Sequence, residues 1–214
     1  AESARYILAS VQHQGLESVP IRQFDAVTTE AKLTDELRPT LFDLLAHRAI
    51  DHFSNDRGYL TAPVYRFRLE QEQAYAAAPD FVNNAFHHRT VLLFQQLLRL
   101  RSPENSLPAF LDADFKRFRF AHEHSTLPHK DSLYKAALQR AIQRYPREAL
   151  TADYRYALAE QVFQNGQDYD PKMDEDDKKW SWKEALAICE TAIREHPGTP
   201  GAYQCELLKS SILS

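Results

Sequence analysis

Between Leu41 and Phe53 the apolar residues Leu41, Phe42, Leu45, Ala46, Ala49, Ile50 and Phe53 recur every three or four positions. That is the period of a helix with one face in a core. Thr40 followed by Asp43 resembles a capping box, Pro39 is tolerated in a first turn, and Asn55-Asp56-Arg57-Gly58 stops the helix. Residues 2–14 predict another helix, with Tyr6, Ile7 and Val11 on one face, and residues 21–29 a weaker one. Thr90 reads as the cap of residues 91–100. There Leu92, Leu93, Leu97, Leu98 and Leu100 leave almost no polar side, the mark of a buried helix. After a loop at 102–106, residues 107–121 predict a helix carrying Phe110, Leu111, Phe115, Phe118 and Phe120. Residues 59–69 differ: Tyr65, Phe67 and Leu69 alternate with Arg66 and Arg68, a period of two that fits a short strand or an extended segment. Residues 71–78 hold a helical turn or two, ended by Pro79.

Near the C-terminus one phrase occurs twice. Ala141-Ile142-Gln143-Arg144-Tyr145-Pro146 returns as Ala192-Ile193-Arg194-Glu195-His196-Pro197. Each copy closes an amphipathic segment, at 133–145 and 182–196, and each is followed by a segment opening on a tyrosine, Tyr154 or Tyr203. A helix, a proline stop and a further helix, repeated, signals stacked hairpins that bury one another's apolar faces. The second helix of each unit resembles the tetratricopeptide pattern. Ala185, Cys189, Ala192 and Pro197 hold its spacing, and Tyr134, Leu138, Ala141 and Pro146 nearly repeat it. The first-helix pattern is weaker, with Tyr154, Leu158 and Ala159 in one copy and Tyr203 and Leu207 in the other.

Most of the 11 prolines fall between segments and cut the chain into helix-length pieces. Only 5 glycines in 214 residues disfavour turn-rich β architectures and Gly-lined nucleotide loops. The expected fold is therefore all-α: a tetratricopeptide-like array of about eight to ten helices, with at most a short β or extended segment near 59–69. We divide it into an N-terminal helical region, 1–125, and helical hairpins at 126–214 with an acidic insert at 168–179.

A net charge of −4 argues against a general binder of nucleic acid or anionic membranes. The one basic cluster, Lys116-Arg117-Phe118-Arg119, reads as a solvated helix face. No stretch approaches the roughly 18 to 20 apolar residues of a membrane span. The sequence opens at Ala1, already in helix-like text, and reads as a processed or excised piece with any signal peptide outside it.

Candidate chemistry is sparse. The acidic insert carries Asp168, Asp170, Asp174, Glu175, Asp176 and Asp177, but Met173 and Lys179 stand where a calcium loop wants Gly and Glu, so it reads as a solvated loop. His122 and His124 point about 200° apart on a helix, against the four-residue spacing of a zinc pair. His47, with Asp43 and Asp51 one turn away on either side, reads as a helix-face histidine hydrogen-bonded there, as does His87-His88-Arg89. No nucleophile or phosphate-loop motif accompanies them, so no catalytic, cofactor-binding or metal-binding residue is assigned and a non-enzymatic role is expected. Cys189 lies eight residues before Pro197 and Cys205 eight residues after it. Residues equidistant from a hairpin turn come side by side, so this pair is either a disulfide or two buried thiols in the core.

A second resemblance covers most of the chain. Residues 38–53, the run Ala62-Pro63-Val64-Tyr65-Arg66-Phe67, and the final Cys189, His196-Pro197, Ala202 and Cys205 resemble a helical module of large secreted alpha-2-macroglobulin-like proteins of Bacteroides-type bacteria. That family traps proteases through a bait region, often with a Cys-x-x-Gln thioester. Cys189-Glu190-Thr191-Ala192 and Cys205-Glu206-Leu207-Leu208 lack its Gln. The resemblance implies a supporting scaffold on the N-terminal side of a protease-trapping protein, secreted, periplasmic or outer-membrane-associated. Its partners would be other domains of the same polypeptide and, through them, proteases. The rival expectation is a stand-alone adaptor that binds a peptide or protein in a concave groove.

Overall fold

The computed structural model describes residues 2–24, 35–54, 85–125, 127–167 and 178–214. The expected extended segment at 59–69, the turn at 71–78 and the acidic residues 168–177 lie outside them. Among the described residues the fold is all-α, with eight α-helices, a further helical stretch at 35–37 and two short 3-10 turns, Leu16–Ser18 and Ile21–Phe24. The helices are α1 (Glu2–Val11), α2 (Leu41–Phe53), α3 (Ala85–Leu100), α4 (Pro103–His124), α5 (Lys130–Arg144), α6 (Thr151–Gln167), α7 (Ser181–Glu195) and α8 (Pro200–Leu213). They belong to two compact units, Ala1–Leu127 and Pro128–Ser214.

In the first unit α2 packs against α1 and α3, and α3 against α4. The apolar period read in the sequence becomes its core: Phe42, Ala46, Ala49, Ile50 and Phe53 are all buried. Thr40 is the N-cap, with extended backbone, and Asp43 closes the box by accepting from the Thr40 N–H (2.9 Å) and hydroxyl (2.6 Å). Pro39 stands outside the first turn, where its carbonyl accepts from the Ile21 N–H.

Two boundaries differ from the sequence reading. Helix α3 begins at Ala85, so Thr90 is a fully buried interior residue and no cap; its apolar stripe leaves Leu92 exposed while Leu93, Leu97 and Leu98 are buried. The stretch read as a loop at 102–106 forms a first helical turn of α4, broken at Ser106 (φ −160°, ψ 87°). Pro108 has no N–H to give to the carbonyl of Glu104, so the ladder is interrupted there and resumes beyond it.

The second unit turns the repeated phrase into repeated backbone. Helices α5 and α7 both span 15 residues. The residues before them, His129 (φ −108°, ψ 23°) and Trp180 (φ −106°, ψ 10°), have nearly the same conformation. So do the residues that end them, Tyr145 (φ −127°, ψ 53°) and His196 (φ −131°, ψ 53°). Each turn is then closed by a threonine hydroxyl, Thr151 donating to the Tyr145 carbonyl and Thr199 to the His196 carbonyl. Helix α6 packs on α5 and α7, and α8 on both α6 and α7, around Ala159, Cys189, Ala192 and Cys205. Small side chains let these backbones approach closely. A Cβ at Gly201 of α8 would overlap the backbone of Ala152 and Asp153 in α6.

Candidate functional site

Buried ion pairs, buried histidines, a pair of thiols and exposed aromatic side chains carry the chemistry of the two units. In the first unit, the N-terminus of α2 is held by a buried ion pair. Asp43, 1% exposed, accepts from Arg101 at both carboxylate oxygens (2.8 and 2.7 Å), and Arg101 also donates to the Thr40 hydroxyl (2.8 Å). Charge-assisted, bidentate bonds of this kind fix geometry strongly.

Asp43 is thus committed, and Asp51 pairs with Lys116 of α4 at 3.0 Å. The expected hydrogen bonds from His47 to its helical neighbours do not form. The ring instead faces α4, with Nε2 3.8 Å from Asp112, whose carboxylate meets Arg38 at 2.6 Å. Among the described residues Nδ1 has no hydrogen-bond partner. Burial, reinforced by Arg38 and Lys116, pushes the His47 pKa down to about 2, so the ring is neutral. A neutral, enclosed imidazole packs against α4.

The basic cluster on α4 is also redistributed. Lys116 reaches Asp51, Arg119 is exposed, and Arg117 is buried with Asp114 one turn back, at 2.5 Å. Successive helix positions point about 100° apart, which takes Arg117 off the solvated face expected for it. Farther along, His124 meets His87 of α3 at 4.3 Å between ring centres, with Phe120 beside both. Among the described residues no three histidine, cysteine or carboxylate side chains form a metal-holding group.

In the second unit, Arg155 of α6 reaches Glu195 at the end of α7 (2.5 Å) and holds that carboxyl below its ordinary pKa. Next to it, His196 is buried and donates to the Pro146 carbonyl, joining the two equivalent helix-ending turns. Burial, together with the Arg155 charge, keeps His196 below its ordinary pKa. Cys189 and Cys205 do come together: both are free thiols, both fully buried, and they hydrogen-bond to each other.

The surface of this unit carries exposed aromatic and aliphatic groups. Trp180 and Trp182, the chain's 2 tryptophans, are 63% and 47% exposed, and Tyr203 and Leu207, one turn apart on α8, are 57% and 48% exposed. Trp182 leans on Phe163 (5.6 Å) and over Gly166, while Lys179 and Lys183 lie about 6 Å from the Trp180 ring. Sequence reasoning passed over this group, although Lys-Trp-Ser-Trp-Lys places two tryptophans outside the buried stripe of α7, a signal available from period alone.

Comparison with protein-family models, with curated proteins and with solved structures returns no match. Among the described residues no helix is long and apolar enough to cross a membrane.

Proposed function

We propose that this chain is a non-enzymatic helical scaffold and protein-interaction module, serving the N-terminal side of a larger secreted alpha-2-macroglobulin-like protease-trapping protein. The observation that carries the scaffold reading is the repetition in the second unit. Two helices of equal length begin and end in the same backbone conformations, and a shared seam of small buried residues packs them with α6 and α8. Units of this kind gain stability by stacking and present side chains on a fixed frame. Solvent-exposed Trp180, Trp182 and Tyr203 are residue types that anchor protein interfaces. The macroglobulin context rests on the sequence resemblance.

The stand-alone adaptor is the second reading, favoured by the apolar pair Tyr203 and Leu207 on one face of α8. The test uses the polypeptide as the cell makes it, isolated with an antibody against residues 1–214. It is expected to be much larger than this chain and to capture an added protease, and deleting 128–214 is expected to lower that capture. A polypeptide of only this size that binds peptides would replace the proposal with the adaptor.

A further inference from the structure

Cys189 of α7 and Cys205 of α8 sit opposite each other in a seam closed by Ala159 and Ala192, with neither side chain reaching solvent. Each thiol's nearest reactive neighbour is the other, to which it is hydrogen-bonded. Two thiols in contact have a chemistry that neither has alone, because losing two electrons and two protons joins them. The attacking thiolate must meet a sulfur of the disulfide donor in line with its S–S bond, and a closed seam leaves no room for the donor.

Helix α8 is the element whose lifting opens that seam. It docks through the small residues Gly201, Ala202 and Cys205, with Leu208 partly buried against the same core, and its ion pair Lys209–Glu190 (2.8 Å) lies at the surface, where such pairs contribute little. We propose that Cys189 and Cys205 are a cryptic dithiol, which a disulfide donor oxidises only through states in which α8 has lifted from α7, and that the closed helix then shields the product from reductants. This modification site goes beyond the scaffold reading and stands independently of it.

The step balances as two exchanges. The Cys189 thiolate attacks one sulfur of the donor R–S–S–R, and RS⁻ leaves and takes a proton from water. Cys205 then gives up its proton and attacks the Cys189 sulfur, expelling the second RS⁻. Two protein thiols are oxidised to one disulfide, and the donor is reduced to two RSH. With α8 lifted the thiols no longer touch, so either can attack first, and the exchange is the same with the two cysteines interchanged.

The test exposes the reduced, full-length chain to glutathione disulfide in native buffer and in urea, following loss of two hydrogens by intact mass. Oxidation in native buffer is expected to be slower by about a hundredfold or more, the protection that a packed helix gives against local opening. Once formed, the disulfide is expected to resist dithiothreitol in native buffer and yield to it in urea. Cys205→Ala is expected to stop, in urea, at a glutathione adduct on Cys189. Gly201→Ala, which loosens α8, is expected to speed the native reaction without changing the rate in urea. Equal rates in native buffer and urea would overturn the gating. Adducts on both cysteines with no disulfide, even after refolding in glutathione disulfide, would overturn the pairing. Both of these results can be read whether or not the Gly201 variant folds.

Discussion

The imidazole of His47 lies 3.8 Å from Asp112, yet burial and the cations Arg38 and Lys116 push its pKa from 6.5 to about 2. The unfolded chain takes up a proton at this ring below pH 6.5 and the folded chain does not. Stability from His47 is therefore intact above pH 6.5 and falls as the pH drops from there towards the folded pKa, by about 1.4 kcal/mol per pH unit for one proton. In urea denaturation, wild type is expected to lose about 1.4 kcal/mol more than His47→Gln between pH 7.5 and 5.5. Equal losses in the two proteins would mean that the ring protonates freely in the fold. The helical position of His47 was legible in the sequence because the period around it is local. Its surroundings were not: Asp112 and Arg101 reach α2 from some 60 residues away, and one sequence carries no signal for such pairs.

Among the elements, α8 rests on two glycines for different reasons. Gly201 packs against the α6 backbone, where an added Cβ meets atoms that cannot swing aside. Gly198, in the turn before α8, has φ +77° with open space around it. Gly201→Ala is expected to cost about 1–3 kcal/mol, rising with side-chain size, as overpacking does. Gly198→Ala is expected to cost about 1–2 kcal/mol with little dependence on size, and Asn to be mildest there, because the penalty is backbone strain. Urea midpoints for Ala, Ser, Val and Asn at both positions separate the two mechanisms; matching size series would remove the distinction. The hairpins themselves were readable because each phrase carries its own stop, Pro146 or Pro197, and its own apolar stripe. Helix starts were less readable. Thr90 has the chemistry of a cap, but burial on α3 overrides it, and a proline at 108 permits a helical turn before the break that it causes.

At the scale of the whole molecule, the all-α fold follows from low glycine content and proline spacing, which leave helices as the elements able to satisfy so many backbone groups locally. The division into Ala1–Leu127 and Pro128–Ser214 has energetic content as well. The first unit draws its core from aromatic and branched side chains, Phe42, Ile50, Phe53, Phe94 and Phe120 among them, with ion pairs tying α2 to α4 and to Arg101, just after α3. The second adds to Tyr134, Leu138, Tyr154, Leu158 and Val162 a seam of alanine, glycine and cysteine whose contacts each bury less apolar surface. Each unit completes a core from its own residues, the requirement for folding alone. Residues 128–214 expressed by themselves are therefore expected to give a helical far-ultraviolet spectrum and a single cooperative urea transition. The midpoint is expected to lie below that of residues 1–127, as the leaner core requires. A shared transition in the intact chain, with neither piece cooperative alone, would show that the two cores are one thermodynamic unit. Because α8 closes the leaner core, oxidation of Cys189 and Cys205 is expected to raise the midpoint of 128–214 and leave that of 1–127 unchanged, which ties the chemistry of one seam to the stability of one unit.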